Sequence, residues 1–189
     1  GAAGELMAFR RSAYAPIPED SILDDLAMSV QFLKNGSLMA YAPEACAIEA
    51  PSPNLPSEFE RKVRIAAGVF QAIPRMWTIW SPWPYPLRAF QFISHRLLRW
   101  VTAPLAVWTG PLALAFCFSE NLALHTLSIF WGIFLFLAGL GWLTRNLKVP
   151  LPGFYVPFYF MMMHVAFPLG FWRFLRKKQT VLWTKISRS

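Results

Sequence analysis

Two neighbouring carboxylates and two arginines one helical turn apart are the side chains best suited to chemistry in this chain. Asp24 and Asp25 open a stretch in which Ile22, Leu26, Val30 and Leu33 share one face and Gly36 supplies the stop, so both acids fall in the first turn of a helix. Ser21, three residues before Asp24, gives the pair the form of a capping box. The box accounts for Asp24, because an acid there bonds back to the cap and complements the positive end of the helix. Asp25 is left over, and a carboxylate at a helix start can take the proton of a hydroxyl bound within hydrogen-bond reach. A second helix reads from Ser57 to about Ala72, with Phe59, Val63, Ala66, Ala67 and Phe70 on one stripe and Arg61, Arg64, Gly68 and Gln71 on another. Two guanidinium groups beside a glycine make an anion site with room for close approach. The same stripe also reads as a solvated basic face, or as a surface for anionic lipid headgroups.

Other reactive residue types form no constellation. His95, His125 and His164 sit on separate segments without metal-ligand spacing, so no metal is assigned within the chain. His95 suits an interfacial hydrogen bond, and His164, in a Met-rich run, is a candidate for lining a polar path. Cys46 and Cys117 make no disulfide framework and read as reduced, buried, small apolar residues. There is no Gly-rich phosphate loop, nucleophile elbow or zinc signature.

The elements that must hold these residues divide by charge. Of 189 residues 56% are hydrophobic and 15% charged, too apolar a balance for an ordinary soluble domain of this length. Nine of the ten acids precede residue 61, with only Arg10, Arg11 and Lys34 among them as bases. The remaining 15 bases follow, accompanied by Glu120 alone, and gather where uncharged stretches end. That is the pattern of cytoplasmic flanks of membrane spans, and it argues for a lipid bilayer and against nucleic acid as the partner of the +8 net charge. Runs of 20, 24 and 24 uncharged residues lie between Arg99 and Glu120, Glu120 and Arg145, and Lys148 and Arg173. Each is long enough to cross a hydrocarbon core of roughly 30 Å.

Three membrane-embedded segments follow: Trp100 to Phe118, Leu122 to Leu143, and Val149 to Trp172. The third carries four prolines and is expected to be broken or re-entrant. The positive-inside rule puts residues 1–99 in the cytoplasm, 119–121 outside and 144–148 inside again. A re-entrant third segment returns the basic tail to the cytoplasm. Between Pro74 and Trp100, aromatics mixed with Arg75, Arg88, Arg96 and Arg99 suit the bilayer interface, with an amphipathic helix from about Leu87 to Arg99.

Residues before Pro74 read as the end of a soluble α/β domain, with strands at Leu6 to Phe9, Leu38 to Ala42 and Ala47 to Ala50 beside the two helices. The expected organisation is therefore a catalytic-type segment at 1–73, an interfacial segment at 74–99, a membrane-embedded region at 100–172 and a basic cytoplasmic tail at 173–189. The opening Gly1 to Gly4, without an initiator Met, reads as the start of a fragment.

Taken in order, Gly4 to Arg11, Leu23 to Ser29, Gly36 to Pro43 and Arg61 to Ile65 resemble the C-terminal half of the catalytic domain of membrane-bound family 2 glycosyltransferases, the group of the cellulose, chitin, hyaluronan and poly-N-acetylglucosamine synthases. The resemblance implies a GT-A-type α/β half-domain followed by an interfacial helix and two to four membrane-embedded helices. It implies an inverting transferase of the bacterial inner membrane that moves a sugar from a nucleotide-sugar donor to a saccharide or lipid-linked acceptor. The family's general base, the last Asp of its acidic motif, falls on Asp25, and the acid before it falls on Asp24. The family's Q-x-x-R-W motif falls on Arg61 to Ile65, where Arg64 matches, Arg61 replaces Gln and Ile65 replaces Trp. That departure leaves processivity open, so transfer of one or a few sugars is as compatible as polymerisation. Substrate contacts are implied at Arg61, Arg64, Arg10 and Arg11. The Mg2+ or Mn2+ ion of the family belongs to an upstream Asp-x-Asp site, so the resemblance implies no cofactor within this stretch, and no turnover by it alone. The run Val181 to Lys185 also resembles tails of the group. The rival readings are a non-enzymatic accessory or scaffold subunit of such a complex and, with only His125 and His164 ionisable at membrane depth, a small transporter.

Overall fold

The computed structural model describes residues 6–49, 52, 54–77, 86–115, 122–145 and 152–180, and all regular structure among them is helical. A short 3-10 turn, Arg11–Ala13, precedes α1 (Asp24–Lys34) and α2 (Leu55–Arg75). Then come α3 (Pro86–Phe92), a π-helical turn (Ile93–Leu97), α4 (Leu98–Ala115), α5 (Leu122–Thr144) and α6 (Pro152–Leu175). The chain forms two compact units, one of Gly1–Leu97 with Phe167–Ser189 and one of Leu98–Ala166.

The expected α/β class is thereby corrected. Leu6 to Phe9, Leu38 to Ala42 and residues 47–49 carry apolar residues, but no strand forms among the described residues. An apolar run becomes a strand only when a second extended segment satisfies its amides and carbonyls in a ladder, and no such pairing exists among the described residues. Leu38 is 90% exposed and Ile48 fully exposed, so these side chains do not reach a core either. Cys46 lies in the same segment and is exposed, contrary to the buried position expected of it. Phe9 does pack, against Phe32 at 5.2 Å and Tyr14 at 5.9 Å between ring centroids, without strand geometry.

Both helices of the N-terminal part form, with shifted starts. α1 begins at Asp24 with Leu23 as the preceding residue and no side-chain cap. Ser21 is buried, and its amide donates to the Pro18 carbonyl at 3.0 Å, so the capping box is not made. Gly36 ends the helix as expected, at φ +77°, with the Ser37 amide donating back to the Phe32 carbonyl at 2.9 Å. α2 is capped by Asn54, whose side-chain oxygen accepts from the Ser57 amide at 2.9 Å, rather than by Ser57 itself. Its apolar stripe is the core of the first unit: Val63, Ala66, Ala67 and Val69 are buried, Val63 completely.

That stripe receives the last turns of α6. Phe70 sits among Phe167 and Phe171, each at 4.8 Å, and Phe174 at 6.4 Å, three rings spaced four and three residues apart on one face of α6. Between them Gly170 lies so close to α2 that a Cβ there would run into Ala66 and the backbone of Val63 and Ala67. Arg173 closes the contact with two hydrogen bonds to the Glu60 carboxylate, at 2.6 and 2.8 Å.

In the second unit α5 follows its expected range closely, and Gly141 gives the backbone of α6 room at Phe154 and Phe158. Gly110 of α4 similarly seats Trp131 of α5. α5 and α6 are each long and apolar enough to cross a membrane. The third segment, expected to be broken by its prolines, is one continuous helix containing Pro157 and Pro168. A proline costs one backbone bond, which a helix packed against neighbours absorbs. The amphipathic helix expected over Leu87 to Arg99 also runs on, through the π-turn into α4. Trp80, Trp83, Tyr85, Cys117, the loop at 119–121, Lys148 and the run at 181–185 lie outside the described residues.

Candidate functional site

The two motifs singled out in the sequence meet at one turn. Ile22, just before α1, is held from both sides by α2: its amide donates to Gln71 Oε1 at 3.0 Å, and its carbonyl accepts from Arg64 Nη2 at 3.2 Å. Gln71 Nε2 donates in addition to the Asp20 carbonyl at 2.8 Å. Gly68, one helical turn from each of these residues, leaves the space into which Leu23 packs, since a Cβ on it would stand 2.5 Å from Leu23 Cγ. The stripe expected to admit an anion therefore grips the chain that leads into Asp24 and Asp25. Gln71, which no motif marked as functional, contributes two of the three hydrogen bonds.

The acids sit in the first turn of α1. The Asp25 amide donates to Asp24 Oδ1 at 3.0 Å, so Asp24 partly serves as the missing cap, and its charge is also felt by Arg64. Burial lowers the pKa of the Arg64 guanidinium, and Asp24 acts against that shift. Asp25 is half-buried, and no hydrogen bond ties its carboxylate to another described residue.

Arg61 is committed elsewhere. Its Nε and Nη2 each donate to Glu58 at 3.0 Å, and Lys62 approaches the same carboxylate at 3.4 Å. Arg10 and Arg11 are exposed around the 3-10 turn, and no hydrogen bond or ion pair joins their side chains to the Ile22 to Asp25 turn. Asp20 and Arg75, which no spacing rule connects, form a two-bond pair at 3.0 and 2.5 Å that braces the loop before Ile22, and the Arg75 hydrogen bonds hold the Asp20 carboxyl below its usual range. His95 bonds locally, its Nδ1 3.2 Å from the Gln91 carbonyl oxygen, and His164 Nδ1 lies 2.7 Å from the Phe160 carbonyl oxygen. Among the described residues no three His, Cys, Asp or Glu side chains form a group that could hold a metal ion.

Glu58 gives this region a pH dependence. Partial burial pushes its carboxyl up, but hydrogen bonds from Arg61 and Ser52 and the charges of Arg61 and Lys62 outweigh burial and hold it at about 2, against the usual 4.5. A carboxyl lowered by folding adds stability that is complete above pH 4.5 and lost as pH falls toward 2. The contribution is at most about 3 kcal/mol, and less once screening at the exposed side of Arg61 is counted. Thermal unfolding followed from pH 6 to 2 is expected to lose more stability in the wild type than in Glu58→Gln, and parallel curves would contradict this. No known protein family, curated protein or solved structure matches the chain.

Proposed function

We propose that this chain is the acceptor-side part of an inverting membrane glycosyltransferase, with Asp25 as the general base. The observation that carries the reading is the grip of Arg64, Gly68 and Gln71 on Ile22 and Leu23, which joins the acidic turn to the basic helix across more than 40 residues of sequence. In the proposed reaction an acceptor hydroxyl gives its proton to the Asp25 carboxylate as its oxygen attacks the anomeric carbon. The bond from that carbon to the nucleoside diphosphate breaks, the electron pair leaves with the diphosphate, and the configuration inverts. Asp25 is available for this because nothing described competes for its carboxylate. Arg64, with its guanidinium turned to the Ile22 carbonyl, acts as a positioning residue for the base. The test is label transfer from a panel of radiolabelled nucleotide sugars in membranes containing the complete protein. Product of inverted anomeric configuration is expected from one donor, and no incorporation from any donor would overturn the reading.

The proposed topology has residues 1–99, 144–148 and the tail from Arg173 in the cytoplasm, so that both ends of α6 lie on that side. Its support is the pairing of Arg173 with Glu60 and the seating of Gly170 on α2, which keep the end of α6 with α2. The bases at Arg145 and Arg173 to Lys178 agree with it. An epitope after Ser189 is expected to be shielded in intact cells and reachable in inverted vesicles, while the thiol introduced by Ser119→Cys reacts from outside. A tail reached from outside would exclude this course for α6.

A further inference from the structure

A cavity of about 400 Å³ lies in the first unit between the Ile17 to Leu23 loop, α1 and the last two turns of α2. None of Asp24, Asp25, Arg61 and Arg64 lines it, although it borders the site through Leu23, Gly68 and Gln71. Its walls are apolar, among them Leu26, Val30, Ala72 and Met76, with no aromatic ring on which a sugar could stack. Five polar side chains line it, and of these Ser21 and Gln31 are neutral and make no side-chain hydrogen bond with a described residue. Gln71 and Arg75 are engaged with Ile22 and Asp20. Lys34, in the last turn of α1, also lines it, is exposed, and has no hydrogen bond or ion pair with any described residue.

We propose that this cavity binds a single-chain lipid anion, an alkyl chain of the fatty-acid kind seated along α1 with its anionic head on Lys34. The volume is at the small end of the range of roughly 300–1,000 Å³ that ligand pockets occupy, which suits a single alkyl chain. One free ammonium at the end of an apolar wall matches one negative head on an apolar tail. A nucleotide would need several cationic donors for its phosphates, and Lys34 is the one cation on this lining that is not already paired with an acid, since Arg75 is held by Asp20. A source of such molecules is at hand, because the chain also carries helices long and apolar enough to enter a bilayer. Bound there, the alkyl chain fills the space between α1 and α2 beside Leu23, and so braces the contact that orients the acidic turn.

The experiment is photolabelling of the full chain in phosphatidylcholine nanodiscs with palmitate carrying a mid-chain diazirine, and mapping of the adducts by mass spectrometry. Adducts are expected on Leu26, Val30 and Met76, and Lys34→Gln is expected to reduce them by at least about tenfold, the value of a charge-assisted contact, whereas Lys34→Arg keeps them. Adducts on the exposed Phe130 and Phe136 of α5 report general partition into the bilayer and are expected to be unchanged in both variants. The corresponding diazirine hexadecanol is expected to label α1 equally weakly in wild type and Lys34→Gln. Ala27→Trp, which fills the cavity, is expected to abolish the α1 adducts. Labelling of α1 that follows α5 in every variant, or that is indifferent to Lys34→Gln, overturns the proposal, as does stronger labelling by a diazirine phosphatidylglycerol. Because the readout is binding rather than turnover, failure here is distinguishable from failure of the glycosyltransferase reading.

Discussion

Replacing Asp25 by Asn is expected to lower sugar transfer by about a hundredfold or more, the range associated with loss of a general base. The carboxamide keeps the shape of the side chain and cannot take the acceptor proton, so kcat carries the loss and binding of the donor is spared. The neighbouring acid provides the contrast. Asp24 accepts the Asp25 amide and lies within reach of the Arg64 charge, so Asp24→Asn weakens the first turn of α1 and is expected to cost only a few-fold in rate. Arg64→Ala removes a hydrogen bond to the Ile22 carbonyl and is expected to slow transfer through displacement of the turn. Gly68→Ala, which pushes on Leu23, is expected to do the same with Arg64 intact. The measurements are initial rates with labelled donor in membranes containing the complete protein. Retained turnover in Asp25→Asn would remove that residue from the base role, and equal losses in Asp24→Asn and Asp25→Asn would reduce both to supports of the helix.

The second large effect is on stability. Gly170→Ala is expected to destabilise the first unit by about 2–3 kcal/mol, the scale of overpacking in a close contact. The added methyl meets the backbone of Val63 and Ala67 and the side chain of Ala66, and helix backbone has no rotamer with which to give way. Separation of α6 from α2 would also break up the rings around Phe70 and part Arg173 from Glu60. Gly139→Ala in α5 is the control, because a Cβ there has nothing within 4 Å. Without a clash, the better helix propensity of alanine leaves stability unchanged or slightly raised. Thermal unfolding in detergent separates the two, and similar shifts in both variants would show that the close approach at Gly170 is not what holds α6 to α2. The salt bridge itself is a small part of the effect, since both partners are substantially exposed.

The helical parts of this fold were legible in the sequence for a local reason. An apolar period of 3.6 and an uncharged run are properties of consecutive residues, and they located α1, α2 and α5 to within a few residues, together with the Gly36 stop. The acidic turn and the basic stripe were legible as residue types at helical spacing. The errors have a common origin in contacts that the local chain does not contain. Leu38, Tyr41 and Ile48 have the composition of strands, but a strand needs a second segment, and these residues stand exposed without one. Ser21 has the form of a cap, but its amide is taken by Pro18 and the helix starts at Asp24. The prolines of the third segment suggested a break, yet α6 runs as one helix from Pro152 through Pro157 and Pro168.

The order of amino acids alone thus determined which segments are amphipathic helices, which are apolar enough for a bilayer, and that two acids open α1. Tertiary structure decided what those residues do. It turned Gly68 from a gap for an anion into a seat for Leu23, tied Arg61 to Glu58, and set Gln71 and Arg64 on the two backbone groups of Ile22. It also joined Glu60 to Arg173 across 113 residues. Periodicity along a helix is written in neighbours, whereas a hydrogen bond between α2 and a loop 40 residues earlier depends on how two surfaces close, and no spacing rule in the chain encodes that.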